Sequence, residues 1–291
     1  MTDPLVSVLL PCCNGSATLE LALHSLLSQT CIDFEILFLN DGSSDNSAAI
    51  AASFGDSRIR VLGDSRRLGL PIRLNQGVAQ ARGQFIARMD ADDISFPERF
   101  ERQIAYLQGH PNVDLVGCRA VVFRDDGETV GLLPFATTHE RLCAQPWRNI
   151  PLPHPSWMGR RSWFQRHPYR LPEVRRAEDQ ELLLRSCKDS RFACLENVLL
   201  AYRQGPFQLQ RTLVARRALL AAQLGLFFRR REWQNAALAL TSAVVKVSVD
   251  CLCALPGLQK LFFVRMGETV SENVQQELAR CLAQYGAGRH D

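Results

Sequence analysis

The sequence predicts an α/β fold: a mainly parallel sheet flanked by helices, with a helical region appended at the C-terminal end. Three observations carry this. Short apolar runs rich in branched residues alternate with amphipathic stretches through the first third of the chain. Polar clusters follow three of those runs directly. From Arg211 onward the pattern is helical.

Leu5 to Leu10 reads as a buried strand ended by Pro11. Ser16 opens a helix through Gln29, with Glu20 near its start and Leu19, Leu23, Leu26 and Leu27 on its apolar side. Phe34 to Leu39 is the next strand. The polar turn Asn40-Asp41-Gly42-Ser43-Ser44-Asp45 then leads into a helix through Ser53. Ile59 to Leu62 is a third strand, followed by a helix from about Leu70 to Ala81 and a strand from Phe85 to Met89. Such alternation implies parallel strands joined by crossover helices. Ligands bind beyond the carboxyl ends of strands in sheets of this kind. Pro11-Cys12-Cys13-Asn14, Asn40 to Asp45 and Asp90-Ala91-Asp92-Asp93 all fall there, so three strand ends bring them to one crevice.

Pro97 starts the next helix, with Glu98 and Glu101 near its positive end. Val113 to Phe123 predicts paired strand, and Asp125-Asp126-Gly127 a hairpin turn. The span from Phe135 to Pro172 is rich in proline, tryptophan and arginine. It reads as irregular and as lining a site. Ala177 to Lys188 predicts helix and Val198 to Arg203 strand. Gly205-Pro206 marks a soft boundary between residues 1–205, with halves of about 1–110 and 111–205, and a helical region over 206–291.

Composition narrows the function. A chain of 291 residues that is 46% hydrophobic and 22% charged is not disordered. A net charge of +4 is too small to argue for nucleic acid. The excess is concentrated instead: Arg211 to Trp233 holds six arginines against one glutamate. Ten cysteines occur without a CxxC pair, and read as reduced, mostly buried thiols of a cytosolic protein. Met1-Thr2-Asp3-Pro4 offers no basic leader segment, and the apolar run that follows is too short for one.

Asp90, Asp92 and Asp93 follow a strand directly. Three carboxylates so close repel one another unless a cation or water compensates. Magnesium-like cations take oxygen ligands, typically one or two carboxylates plus substrate phosphates. Asp-x-Asp at a strand end therefore points to a metal–diphosphate site. Asp41 alone reads as an ordinary turn residue. Glu178-Asp179 reads either as helix-start acids or as a general base. His154, between two prolines, is held in an extended loop where structural and ligand-facing roles both stay open.

Taken in order, the motifs resemble a known family. Pro11-Cys12-Cys13-Asn14, Asn40 to Asp45, Leu74-Asn75-Gln76-Gly77, Ala81 to Asp93, His154-Pro155-Ser156, Glu178-Asp179 through Arg185, and Tyr202-Arg203 together resemble family 2 glycosyltransferases, inverting enzymes of GT-A fold. The resemblance covers about Leu5 to Arg203. It implies that Pro11, Asn14 and Asp41 line the nucleoside pocket, with Arg73 also facing the nucleotide. It implies Asp90 at the ribose or metal shell, and Asp92 as ligand of Mg2+ or Mn2+ bridging the diphosphate. Asp179 would be the base on the acceptor hydroxyl, with His154 and Glu178 toward the acceptor or diphosphate. The expected partners are a nucleotide-sugar donor and a glycan or polyprenyl-linked saccharide acceptor. Cys13 stands where the family usually has an aromatic residue, and Gln204 to Gln210 lacks the usual serines. A sugar nucleotidyltransferase would need a glycine- and arginine-rich loop after the first strand, which is absent here. A non-catalytic scaffold would not need Asp90, Asp92 and Asp179.

Leu213, Leu220, Leu224, Phe227 and Phe228 approximate one helical face among the arginines. Two readings stay open for 211–233: a helix packed on the catalytic domain, or a peripheral contact at the inner face of the plasma membrane. Ala236 to Leu255 has the length of a span, but Lys246 and Asp250 favour a buried or membrane-surface helix. Processive relatives carry Gln-x-x-Arg-Trp and clear spans. Their absence favours single addition.

Overall fold

The computed structural model describes residues 3–170, 176–255, 258 and 268–286. The end of the 135–172 span, and parts of 206–291, lie outside the described residues. Nine strands form one mixed sheet. Its first half is parallel: β3 (Ile59–Asp64), β2 (Phe34–Asp41), β1 (Val6–Cys12) and β4 (Phe85–Arg88) lie side by side in that order.

The two-residue period of β1 sorts the core onto both faces. Val6, Val8 and Leu10 meet Leu19, Leu23 and Leu26 of α1 (Leu19–Leu27). Leu9, with Leu37 and Leu39 of β2, meets Leu74 and Val78 of α3 (Leu70–Gln80). Helix α3 seats closely, since a Cβ at Gly77 would come within 2.8 Å of Leu9 Cδ2 and 2.9 Å of Leu39 Cδ1. The helix after β2, α2 (Ser47–Ser53), completes the α1 side.

β1 runs past Pro11 to Cys12, where the sequence predicted a stop. Its pairing with β4 ends at Leu9, and beyond that point β2 is its partner. Proline is tolerated where a ladder is one-sided. Ser16 does not cap α1. The helix begins at Leu19, and the Ser16 amide donates instead to Asp45 Oδ2 at 2.9 Å, so the second loop holds the first.

The second half of the sheet mixes directions. β8 (Met158–Arg160) is antiparallel to both β4 and β6 (Leu115–Phe123), and β9 (Phe192–Arg203) is parallel to β6. β5 (Ile94–Ser95) pairs antiparallel with β9. β6 and β7 (Thr129–Leu132) form the expected hairpin, with Gly127 at φ 83° in its turn. Helix α4 (Arg99–Gly109) begins two residues beyond Pro97, which the sequence placed at its start. The 135–172 span is more regular than its sequence suggested. It contains α5 (His139–Leu142), a 3-10 turn at His154–Ser156, β8 and α6 (Arg161–Arg166). Helix α7 (Glu178–Ser186) follows.

Beyond β9 come α8 (Leu209–Arg230), α9 (Trp233–Cys253) and α10 (Glu272–Gly286). α8 packs on the body of the protein: Gln223 donates to the Pro146 carbonyl at 2.8 Å, and Arg230 to those of Leu184 and Arg185. The apolar stripe read from the sequence splits, with Phe227 buried and Phe228 half exposed. α10 folds back, burying Leu278 and Cys281 against Ile94, Phe96 and Phe123. All ten cysteines are free, and five are buried.

Between β1 and β2 lies a buried carboxylate. Ser7 donates to Glu35 at 2.7 Å, while Arg60 and Arg82 each pair with Glu35 at 2.7 Å. Burial works to raise the Glu35 pKa, but hydrogen bonds from Arg82, Arg60 and Ser7 outweigh it and pull it down to about 2. A depressed carboxylate adds stability above its unfolded pKa and loses it as pH falls through the folded one. Glu35→Gln is therefore expected to lower stability by about 2–3 kcal/mol near neutral pH, the arginine ends being partly in water. Urea denaturation at neutral pH and near pH 3 checks this: the gap to wild type must narrow in acid. A pH-independent gap rejects it.

Candidate active site

Three loops meet at the carboxyl ends of β1, β2 and β4 and are tied to one another. Asn14 sits at φ 58°, a left-handed conformation that asparagine tolerates better than most residues. Its amide donates to Ser43 Oγ at 3.1 Å, and its Oδ1 accepts from the Ser44 amide at 2.8 Å. Thr18 Oγ1 donates to the Ala91 carbonyl at 3.0 Å, joining the first loop to the acidic one. Pro11 is buried in β1 beneath them.

Asp41 ends β2, buried. Its Oδ1 accepts from the amides of Leu68 at 2.7 Å and Gly69 at 3.0 Å, and from Arg73 Nε at 3.2 Å. Arg73 is 2% exposed and also donates to Asp64, Gln76 and the Arg66 carbonyl. The resemblance implied that Arg73 faces the nucleotide beside Asp41; in the structure its guanidinium is engaged with Asp41 itself. It is turned inward and pins the 64–69 loop onto Asp41, because a buried guanidinium needs all its donors engaged.

The acidic loop follows β4. Arg88 is buried at the end of β4 and grips Asp90 with two nitrogens, at 2.9 and 2.5 Å. Arg99, also buried, donates to the Arg88 carbonyl at 2.7 Å. Asp93 is buried; its Oδ1 accepts from the Arg203 amide at 2.9 Å, while its Oδ2 has no partner. Arg203 Nε donates to the Asp92 carbonyl at 2.9 Å, so the end of β9 clasps the loop from the far side. Burial, then the charges of Asp90 and Asp92, hold the Asp93 carboxyl well above its ordinary range. Asp92 projects with water on its outer side. Enough protein surrounds it that burial, ahead of the Asp90 charge, pushes its pKa up to about 6.

Ligand oxygens of Asp90, Asp92 and Asp93 lie within 4.8 Å of one another. Such an all-oxygen donor set suits a hard divalent cation rather than a thiophilic one. The unpartnered Asp93 Oδ2 and the crowding of three carboxylates fit the same group.

Opposite this loop, α7 opens with Glu178 and Asp179. The residue before them, Ala177, is at φ 59°, where alanine is strained. Gln180 anchors the turn to Ile150, accepting from its amide at 2.9 Å and donating to its carbonyl at 3.1 Å. A helix N-terminus favours the carboxylate form, yet Asp179 is raised. Burial outweighs the Gln180 hydrogen bonds and the Arg88 charge. Burial and then Asp179 push Glu178 up to about 7. Arg88 acts on both acids, and Asp90 acts on Glu178, so the acidic loop and the start of α7 are neighbours in the fold.

His154 is also buried. Its Nε2 lies 2.7 Å from Tyr169 Oη, and its ring lies 4.5 Å from that of Trp157. Burial and the Arg88 charge lower its pKa well below the usual value, so it is neutral. Asn75 clamps the Tyr169 backbone through two hydrogen bonds, of 2.9 and 3.0 Å. Sequence reasoning assigned no role to Arg88 or Tyr169. A lone arginine inside the apolar strand Phe85-Ile86-Ala87-Arg88-Met89 was the available signal, since a buried charge requires a partner nearby.

Known proteins resemble this chain in the same region. The sequence profile of Glycosyl transferase family 2 matches residues 7–167. EpsJ of Bacillus subtilis, an uncharacterized glycosyltransferase, is 31% identical over 217 residues, which cover 70% of this chain and 62% of EpsJ. WfgD of Escherichia coli, a UDP-Glc:α-D-GlcNAc-diphosphoundecaprenol β-1,3-glucosyltransferase, is 36% identical over 107 residues, 37% of this chain and 42% of WfgD. The chain thus spans less than two thirds of the length of either relative. The mannosyltransferase PcManGT of Pyrobaculum calidifontis, solved with GDP-Man and Mn2+, has the same fold: TM-score 0.61 at 14% identity, covering 100% of this chain and 89% of that one. With the profile spanning more than half of its residues, the chain belongs to glycosyl transferase family 2.

Proposed function

We propose that the protein is an inverting glycosyltransferase. It moves one sugar from a UDP-linked donor to a hydroxyl of a glycan or lipid-linked saccharide, in assembly of a bacterial-type surface polysaccharide. The observation that supports this most is that one buried arginine, Arg88, grips Asp90 and also acts on Glu178 and Asp179. A cluster suited to a metal–diphosphate and a carboxylate of raised pKa are therefore neighbours in the fold, and we set donor and acceptor between them. The UDP donor is proposed by analogy with WfgD, whose own donor is UDP-Glc.

Asp92 and Asp90 would hold Mg2+ or Mn2+, which supplies positive charge to the departing diphosphate when bound. Asn14, on the loop after β1, and Asp41, at the end of β2, form the nucleoside side with Pro11. Asp179 accepts the proton of the acceptor hydroxyl as that oxygen attacks the anomeric carbon. Its raised pKa makes it a better base than a free aspartate. One displacement inverts the anomeric centre, and no covalent sugar–enzyme bond forms. Glu178 beside it orders the acceptor, and His154 keeps Tyr169 in place. Residues 1–205 form the transfer unit, and 206–291 a helical region that holds it on the cytoplasmic side of the membrane.

The test is a thermal-shift screen of nucleotide sugars with and without Mn2+. A bound donor raises stability by mass action. A UDP-sugar that shifts the midpoint only with the metal, followed by a transferred sugar of inverted configuration in the product's NMR spectrum, is the expected result. Absence of a shift with every nucleotide sugar overturns the reading. Affinity without hydrolysis or transfer would make the protein a binding subunit.

A further inference from the structure

Helix α9 is reversed relative to an ordinary surface helix. Its outer side carries no charge and is mainly apolar, with Trp233 63%, Val244 66% and Val245 58% exposed, and Leu240, Val249 and Leu252 about half exposed or a little less; Gln234, Thr241 and Ser248 are the uncharged polar residues exposed among them. At 100° per residue these positions share one half of the helix. Its only two charged side chains face the other way. Lys246 Nζ donates to the Arg148 carbonyl at 2.6 Å, and Asp250 is buried in an ion pair with Arg216 at 2.9 Å. At 1.5 Å per residue, 21 residues of such surface run for about 30 Å.

The charge around this face has one sign. Arg229 and Arg231 flank its Trp233 end, where the Phe228 and Trp233 rings lie 5.8 Å apart. Arg211 and Arg217 are exposed on the neighbouring α8. The two local acids are already engaged, Glu232 with Lys188 and Asp250 with Arg216. An apolar helix face bordered by arginines and aromatic rings is the chemistry of an interfacial membrane helix.

We infer that the outer face of α9 lies in the surface of an anionic lipid bilayer, with its valines and leucines among the acyl chains and the neighbouring arginines at the phosphates. A second copy of the chain fits less well. A two-fold contact sets the same patch against itself, and brings unneutralised arginines toward unneutralised arginines. A span is disfavoured by the Lys246 and Asp250 contacts, which tie the last third of α9 to the rest of the molecule. The sequence left 211–233 open between packing on the domain and a peripheral membrane contact, and read 236–255 as a buried or membrane-surface helix. The exposed surface centres on the second of these, with only its arginine end shared. The inference stands on α9 and its border, and holds or fails apart from the glycosyl-transfer reading.

Flotation of the full chain with phosphatidylcholine vesicles, with and without phosphatidylglycerol, tests it. Wild type is expected to float with the anionic vesicles, and less so at high salt. Val244→Asp with Val245→Asp should weaken that binding by about tenfold or more, since two apolar contacts are replaced by charges. Arg229→Gln with Arg231→Gln, at exposed positions that leave the fold intact, should remove the preference for phosphatidylglycerol. The thermal shift given by a UDP-sugar should stay unchanged in both variants, which separates this result from failure of the donor site. Wild type that does not float overturns the inference. So does a wild-type dimer that the valine variant converts to monomer.

Discussion

Asp179→Asn is expected to lower turnover by about 10²–10⁴-fold while leaving donor binding near its wild-type level. The side chain keeps its size, and Gln180 can still hydrogen-bond to it, so α7 and its anchor on Ile150 stay in place. What is lost is the group that takes the acceptor proton. The pH profile gives a second readout. Because Asp179 titrates above the ordinary aspartate range and Glu178 near 7, wild-type turnover should climb as pH rises into the neutral region. That limb should flatten in the variant, provided transfer is measured with saturating donor. Near-normal turnover in Asp179→Asn would reject the base assignment outright. A large loss of donor affinity would show instead that the residue supports the nucleotide site.

Asp92→Ala is expected to abolish the metal-dependent part of donor binding. Asp92 is the most exposed of the three clustered carboxylates. Removing it takes away one donor without opening a cavity in the core. Calorimetric titration with a UDP-sugar should show tight binding to wild type only in the presence of Mg2+ or Mn2+. The variant should bind weakly, and equally, with and without the ion. Equal affinity of wild type in both conditions would remove the cation from the account.

The first half of the fold was legible because its physics is local. β1, β2 and β4 are buried on both faces and read as apolar runs interrupted only by Ser7, Glu35 and Arg88, and their helices carry 3.6-residue stripes. The second half was harder because its pairing is long-range. β5 and β8 are two and three residues long, too short to show any period. β9 was read only from Val198, because exposed Glu196-Asn197 interrupts its pattern. The ladder with β6 runs through Leu195, slips, and resumes at Val198. A bulge of that kind is set by the partner strand and leaves little trace in sequence.

The site divided along the same line. The acids stood out because strand ends followed by carboxylates are visible in one dimension. What compensates them was not. Arg88 reaches Asp90 from two residues away, but its effect on Asp179 crosses some ninety residues of sequence and exists only in the folded chain. The same holds for Arg73, whose inward turn follows from Asp41 and Asp64 being brought together by the neighbouring strands β2 and β3.

The fork between Arg88 and Asp90 carries a consequence for how the protein is handled. One carboxylate of the trio is already neutralised from within, and the raised pKa of Asp93 relieves another. Architecture therefore does not lean on a bound ion as it does in a zinc finger. Preparations stripped with a chelator should keep their tertiary structure and regain donor affinity as soon as the ion is returned.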